Sequence, residues 1–446
     1  MTDRLPKGWT TARVEDIATL VQYGSSSKTS DDATGVPVLR MGNIVGGELV
    51  FDGLKYLPTS HHEFPELHLQ PGDVLFNRTN SPELVGKTAV YTEHHPAPCS
   101  FASYLIRVKL SGYEPKLLAS YLNSTYGRAW IRSCVVQQVG QANVSGGKLK
   151  DLELPLPPLN EQRRIVAKLD ALQERSRRAR ASLDAVPALL DKLRQSILAA
   201  AFRGDLTRDF RAQVGKLGSI ARFIDYRGKT PTKTTSGVPL ITAKNIRRGF
   251  LSMTPREFID EAEYASWMTR GFPRTGDVLI TTEAPLGNVV CIDWTFKFAL
   301  AQRVICLQPD EDLVFGPFLA LMMQSPSFQT QLVDRSTGTT VTGIKASRLK
   351  ELEVPLPPLA EQRRIVSMVT AKLERVAEVG ACLETELHRI KSLDRAILAK
   401  AFRGELVPQD PSDEPADELL ARVRADRAAP STPRGRKRAA EAALHD

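Results

Sequence analysis

The chain lacks the cysteine patterns that form disulfide frames or zinc knuckles. Its 446 residues include five cysteines (Cys99, Cys134, Cys291, Cys306 and Cys382), and no two of them form a Cys-x-x-Cys pair. This usage is typical of reduced cytosolic thiols. His94 and His95 lie close in sequence to Cys99, but no second cluster completes a ligand set. We therefore predict no metal site.

Long apolar segments are also missing. The first residues, MTDRLPKGW, contain no apolar core of the kind that a secretory signal needs. No apolar run approaches the roughly 18–20 residues of a membrane-spanning helix. We expect a cytoplasmic protein with no membrane partner.

Signatures of catalysis are absent as well. The chain has no Asn-Pro-Pro-Tyr or Asp-Pro-Pro-Tyr tetrad for amino-methyl transfer, and no convincing nuclease set of an Asp with a Glu-x-Lys pair. Residues 81–88 (SPELVGKT) fall one residue short of a phosphate-binding loop, because Ser81 replaces its first glycine. We predict no catalytic residue and no cofactor-binding residue in this chain.

The charge balance favours a polyanionic partner. The 60 Lys and Arg residues exceed the 51 Asp and Glu residues, which gives a formal net charge of +9 and a sequence pI of about 9.3. Such an excess is typical of proteins that bind nucleic acid, although a basic protein without that role remains an alternative.

The most informative feature is a long internal repeat. Residues 154–166 read LPLPPLNEQRRIV and residues 354–366 read VPLPPLAEQRRIV, and the same displacement superposes two copies of Ala-Phe-Arg-Gly at 201–204 and 401–404. The segments before each copy echo one another more faintly, as in Gly-Asp-Val-Leu at 72–75 and 276–279. A solenoid repeat spans only about 20–50 residues. The chain is therefore predicted to be a duplicated half, each half a domain followed by a long helix.

Apolar residues at heptad spacing predict the helices, and short apolar runs broken by Gly, Pro and Asn predict mixed α/β globes. Pro187 should kink or split the first helix, whereas Leu387 at the matching place lets the second run straight. The predicted segments are a first globe (1–155), a first helix region (156–204), a second globe (205–355), a second helix region (356–407) and a partly disordered tail (408–446).

The connectivity predicts how the helices pair. Each amphipathic helix must cover its apolar seam, and the second can pair with the first only by running back along it. We expect an α+β protein with an antiparallel coiled coil, a pseudo-twofold axis that exchanges the globes, and a C-terminus near the N-terminus. A protein twofold is the usual match to the dyad of duplex DNA. Two unlike globes predict a split, asymmetric target with an unread spacer.

The duplicated P-L-P-P-L-x-E-Q-R-R-I-V motif, the Ala-Phe-Arg-Gly repeats and the ending VPQDPSDEPADELL resemble the specificity subunit of type I restriction-modification systems. The resemblance covers residues 1–420. It implies that the globes are target recognition domains and the helices a spacer. It also implies a non-catalytic scaffold for two adenine-N6 methyltransferase subunits and, through them, restriction/translocase subunits. S-adenosylmethionine, ATP and Mg would be used by those partners.

Base readout uses Arg or Lys for guanine, Asn or Gln for adenine, and Glu or Asp for cytosine. The DNA-binding candidates in the first globe are Lys28, Arg40, Asn43, Arg78, Asn80, Lys87, Gln141 and Asn143, and those in the second are Lys229, Lys244, Asn245, Arg247, Arg248, Glu283, Asn288, Thr339 and Lys345. Each is also explicable as a solvated surface or turn residue. Asn43 and Asn245 both precede an Ile, so a structural turn explains them equally well.

Four arginines on the first helix (Arg175, Arg177, Arg178 and Arg180) are candidates for contact with spacer phosphates. A solvated helix face or a partner contact explains them as readily. Two rival functions also stay open: a self-contained DNA methyltransferase or nuclease, and a structural coiled-coil protein without DNA readout.

Overall fold

The computed structural model describes residues 5–81, 84–138, 141–207, 212–226, 231–338 and 342–428. The chain forms two compact units. Unit 1 comprises Met1–Ala181 with Leu387–Asp446, and unit 2 comprises Ser182–Glu386. Each unit therefore contains one predicted globe together with parts of both long helices. Among the described residues, no helix is long and apolar enough to cross a bilayer.

Unit 1 is a mixed α/β globe. Its strands are β1 (Thr10–Arg13), β2 (Ala18–Tyr23), β3 (Val36–Leu39), β4 (Ile44–Val45), β5 (Glu48–Leu49), β6 (Lys55–Leu57), β7 (Val74–Asn77), β8 (Thr79–Asn80), β9 (Thr88–Val90), β10 (Ser100–Phe101), β11 (Leu105–Leu110), β12 (Val136–Gln138), β13 (Gln141–Asn143) and β14 (Glu153–Leu156). Its helices before the spacer are α1 (Val14–Ile17), α2 (Pro115–Asn123), α3 (Thr125–Cys134) and α4 (Gly146–Lys150). An antiparallel sheet, β2-β11-β7-β9, forms its centre, and the sheets β10-β3-β6 and β12-β13-β8 flank it.

Unit 2 repeats this plan. Its strands are β15 (Gln213–Lys216), β16 (Ala221–Asp225), β17 (Val238–Ile241), β18 (Phe258–Ile259), β19 (Val278–Thr282), β20 (Leu286–Cys291), β21 (Ala299–Leu300), β22 (Val304–Pro309) and β23 (Glu353–Leu356). Its short helices are α7 (Leu217–Ile220), α8 (Tyr264–Trp267), α9 (Gly316–Met323), α10 (Pro326–Asp334) and α11 (Ala346–Lys350). The central antiparallel sheet is β16-β22-β19-β20, and β18-β17-β21 flanks it.

The spacer helices are α5 (Leu159–Asp184), α6 (Val186–Arg203) and α12 (Leu359–Phe402). The first predicted helix is split, because Pro187 lies in the first turn of α6 and cannot donate a backbone hydrogen bond to α5. By contrast, α12 is continuous over 44 residues, or about 66 Å at 1.5 Å per residue.

The helices run antiparallel within each unit. In unit 1 the start of α5 (Ile165, Leu169) shares a core with the end of α12 (Ile397, Ala401). In unit 2 the end of α6 and the start of α12 share a core in the same way. The predicted seam is only partly buried, however, because Leu193, Val379 and Leu393 are each about half exposed, at 49%, 50% and 54%.

The repeated Gln of the motif has the same structural role in both units. Gln162 is fully buried. Its Oε1 accepts a hydrogen bond from Glu114 N at 2.8 Å, and its Nε2 donates to Gly112 O at 3.1 Å and Pro157 O at 2.9 Å. Gln362 makes the equivalent three bonds in unit 2. In each unit this side chain attaches the first turn of a spacer helix to the loop before α2 or α9.

Part of the predicted tail folds onto unit 1. Helix α13 (Ala416–Ala428) buries Leu419, Leu420 and Val423 in the core of that unit, and Ala416 N donates to Gly8 O at 2.9 Å. The expected return of the chain towards its N-terminal region is confirmed within unit 1. Residues 429–446, which include the predicted disordered end, lie outside the described residues.

Candidate nucleic-acid interface

Both units present an equivalent polar edge at the end of a central strand. It is formed around Arg78 and Tyr104 in unit 1 and around Thr282 and Arg303 in unit 2. In unit 1, Arg78 follows β7 and its N donates to Tyr104 O at 3.0 Å. In unit 2, Thr282 at the end of β19 donates to Arg303 O at 2.9 Å. Tyr104 and Arg303 each precede the neighbouring central strand, β11 or β22. They therefore occupy equivalent positions, and both side chains are about half exposed (47% for Tyr104 and 51% for Arg303).

The turn that begins each central strand is a shared framework element. Asp73 Oδ2 accepts from Gln70 N at 3.0 Å, and Asp277 Oδ2 accepts from Arg274 N at 2.8 Å. Burial raises the pKa of both carboxyl groups. The repeated Gly-Asp-Val-Leu sequence therefore has a structural role, which is to start the strand that carries the polar edge.

In unit 2 the edge surrounds a cavity of about 210 Å³. Residues 242–244 after β17, Ala284 after β19 and residues 301–303 before β22 line much of it. The rest of the lining is Pro231, Lys233, Leu240 and Glu257. Of the predicted DNA-binding residues, Lys244 lines this cavity, and Glu283 forms an ion pair with its neighbour Arg303 at 2.8 Å. Clefts with a few convergent polar groups are typical binding sites.

The backbone of this cavity is strained. Ala284 has φ 42° and Arg303 has φ 74°, and they are the two non-glycine residues with positive φ in the described part of the chain. This conformation costs of order 1 kcal/mol or more for a residue with a β-carbon, and such strain concentrates at functional sites.

The equivalent edge of unit 1 is built from different side chains. The Arg78 guanidinium lies 4.9 Å from the Tyr23 ring centroid and donates to Ser103 O at 3.5 Å. Thr79 Oγ1 donates to Asn143 Oδ1 at 3.3 Å, and β8, which contains Asn80, pairs with β13. The structure thus brings three predicted residues of the first globe (Arg78, Asn80 and Asn143) together with Tyr104.

The other predicted residues lie either next to the central strands or elsewhere on the surface of their unit. Lys87, immediately before β9, and Asn288, on β20, hold equivalent places, since Phe76 pairs with Thr88 and Ile280 pairs with Val289. The Asn288 side chain donates to Ile246 O at 2.8 Å. The remaining exposed or half-exposed candidates are Lys28, Arg40, Arg247, Arg248 and Lys345. Arg40 uses its guanidinium to donate to Gly53 O at 2.7 Å.

The prediction that Asn43 and Asn245 contact bases is corrected by the structure. Both are buried, with 4% and 2% exposure. Asn43 Nδ2 donates to Val50 O and Asp52 O, and Asn245 Nδ2 donates to Ser252 O and Pro255 O. Because both amide hydrogens are used inside the protein, these residues close a turn and are not available to DNA.

Three of the four helix arginines are paired with carboxylates. Arg177 and Arg178 pair with Glu174 at 2.9 and 2.6 Å, and Arg180 pairs with Asp394 at 3.1 Å. Such pairs leave less free charge for spacer phosphates than the sequence indicated. Lys229 and Thr339 lie outside the described residues, as does the side chain of Gln141.

Cys99 is buried, and burial raises its pKa to about 12, so the thiolate that binds a metal is strongly disfavoured. Among the described residues, one group of potential ligand atoms comes together, that of His61, His62 and Glu63. His61 Nε2 lies 3.0 Å from Glu63 Oε2, so these two side chains form a hydrogen-bonded pair.

Tyr104, Arg303 and Arg194 were missed by sequence reasoning. Arg194 on α6 shares a cavity of about 90 Å³ with Arg248 and donates to Gln324 Oε1. For Tyr104 and Arg303 the sequence did contain a signal. Each is a polar or aromatic residue immediately before a strongly apolar strand, LIRVKL or VICLQP.

The chain thus consists of two like α/β units, each with a polar edge of its own composition. The family model described as "Type I restriction modification DNA specificity domain" matches residues 6–182 and 213–377. The chain belongs to this family, the specificity subunits of type I restriction-modification systems.

Known relatives extend over nearly the whole chain. The type I restriction enzyme EcoKI specificity subunit of Escherichia coli (strain K12) is 26% identical over 461 residues, covering 96% of this chain and 97% of the relative. The EcoBI specificity subunit of Escherichia coli is 26% identical, covering 91% and 89%.

Two solved structures share the fold. A chain from a structure concerned with complex assembly and conformational transition of the type I R-M system has a TM-score of 0.71 and 24% identity, covering 91% of this chain and 100% of its own length. The HsdS subunit from Thermoanaerobacter tengcongensis has a TM-score of 0.54 and 25% identity, with 91% and 99% coverage.

Proposed function

We propose that this chain reads a bipartite, asymmetric DNA site, with one half read by each unit. The observation that carries the proposal is a common edge with different side chains. At equivalent positions unit 1 has Tyr104 and Thr79, and unit 2 has Arg303 and Glu283. A shared framework with unlike side chains at its edge supports two half-sites of different sequence.

We further propose that the chain is a non-catalytic scaffold. In this role it positions two adenine-N6 methyltransferase subunits on the DNA, and through them the restriction/translocase subunits. S-adenosylmethionine, ATP and Mg act in those partners. The lack of an amino-methyl-transfer tetrad in the chain supports this division of labour. The continuous helix α12 supports a fixed spacing between half-sites, because an α-helix has a fixed rise per residue.

The test is methylation mapping in a methylation-free bacterial host that expresses this chain with its methyltransferase subunits. The expected result is modified adenines in one split motif with a spacer of constant length. The matched control expresses the methyltransferase subunits alone and should give no such motif. Methylation without a bipartite preference would contradict the proposal.

The rival functions give different results in the same system. A self-contained enzyme would methylate or cleave DNA when this chain is expressed alone. A structural coiled-coil protein would show no DNA affinity that falls with salt, whereas a reader should lose affinity with a log–log slope of about −0.9 per neutralised phosphate.

A further inference from the structure

The Arg303–Glu283 pair leaves one edge of the Arg303 guanidinium free. Glu283 Oε1 lies 2.8 Å from Nε, so the ion pair is made at the inner nitrogen of the guanidinium. The described residues offer no hydrogen-bond acceptor to the two terminal nitrogens, and the side chain is half exposed. A guanidinium held this way presents two parallel N–H donors outward, a geometry that matches paired acceptors.

Glu283 is itself fixed in place. It forms a bridge with Gly343, and the neighbouring Ile344 N donates to Thr282 O at 3.0 Å. A β-carbon at Gly343 would lie 3.3 Å from Glu283 Cβ, so a glycine keeps this approach open. The backbone of Glu283 is therefore held next to Arg303, and the ion pair reduces the conformational freedom that the arginine would lose on binding.

The charge around the cavity favours an electron-rich ligand. Lys233 and Glu257 form an ion pair at 2.8 Å, and Arg303 pairs with Glu283. Lys244 adds a further positive charge, so the five groups carry a net charge of +1. The Arg303 side chain is half exposed, so it lies at the surface of unit 2 rather than in the core.

We propose that Arg303, held by Glu283, reads a guanine in the half-site of unit 2. The two terminal N–H groups would donate to O6 and N7 of the base, the commonest specific contact between a protein side chain and DNA. This inference rests on the proposed function and adds the base and the residue that reads it. Glu283 is a positioning residue, and Arg303 makes the contact.

The test uses the full chain assembled with its methyltransferase subunits. Arg303→Asn is the main variant, because Asn tolerates positive φ and so preserves the backbone. The methylation rate is compared between duplexes with the wild-type second half-site and duplexes with each single-base substitution. We expect Arg303→Asn to lower discrimination at one G·C pair of the second half-site by about 5- to 150-fold, with the first half-site unchanged.

Two further variants separate the role of Arg303 from that of Glu283. Arg303→Lys keeps the charge and can still donate to guanine but lacks the planar fork, so it should lose part of the discrimination at the same base pair, less than Arg303→Asn loses. Glu283→Gln should weaken discrimination at that base pair less than Arg303→Asn does. The matched control is Lys216→Ala, which breaks another exposed ion pair of unit 2 (Lys216–Glu351, 2.6 Å) and should change neither half-site.

The outcomes distinguish the inference from the proposed function. If the wild-type complex methylates no split site, the proposed function fails. If the wild type reads a split site and Arg303→Asn and Arg303→Lys keep full discrimination at every position, only the assignment of Arg303 is overturned. A change confined to the first half-site would overturn it as well.

Discussion

The repeated glutamine of the spacer motif allows a quantitative test of the duplicated framework. Gln162→Ala removes three hydrogen bonds and leaves the N of Glu114 and the O atoms of Gly112 and Pro157 without that partner. At about 1 kcal/mol per bond, the free energy of unfolding of unit 1 should fall by about 3 kcal/mol. Gln362→Ala should lower that of unit 2 by a similar amount.

Native-state hydrogen exchange followed by mass spectrometry measures the two units separately, because each peptide reports the opening free energy of its own region. Peptides of unit 1 should lose protection in Gln162→Ala, and peptides of unit 2 in Gln362→Ala. Gln173→Ala is the control on the same helix, and its effect should stay within about 0.5 kcal/mol. A loss below 1 kcal/mol, or an equal loss in both units from one substitution, would refute the structural role assigned to this residue.

Three further predictions concern the tail, the first half-site and the spacer. The Asp16–Arg424 bond lowers the pKa of Asp16, so its stabilisation of α13 should be complete above the unfolded value near 3.8 and lost as pH falls through the lower folded pKa. Asp16→Asn removes this carboxylate, so α13 should be cleaved by protease faster than in the wild type at neutral pH. Acidification should then increase cleavage of α13 in the wild type but not in the variant. Tyr104→Ala should relax the first half-site only, measured by methylation mapping, and an altered second half-site would argue against it. Seven residues inserted into both α5 and α12 add about 10 Å, so the mapped spacer should lengthen by about three base pairs. An unchanged spacer would contradict the proposal that the helices set the distance between the half-sites.

The sequence was sufficient for the architecture because periodicity and repetition are local signals. The heptad spacing predicted the long helices, and Pro187 predicted where the first one divides. Exposed Leu193 and Leu393 show the limit of this reasoning, since a heptad position becomes buried only where a neighbour covers it.

The candidate site was less accessible from sequence because it depends on contacts between distant residues. Arg303 meets Glu283 only through the pairing of β19 with β22, and helix α13 meets α1 across some 400 residues of chain. For Asn43 and Asn245, by contrast, the sequence did contain a usable signal. A residue that recurs at the same place in both units belongs to their common framework, and both asparagines close the same turn.

The central claim is that each unit reads its own half of the target. Its most direct test replaces residues 1–150 with the first globe of a family member that recognises a different sequence, and maps the methylated motif of the assembled complex. We predict a new first half-site joined to the original second half-site, with the spacer length unchanged. A motif in which both halves change, or in which neither changes, would contradict the claim.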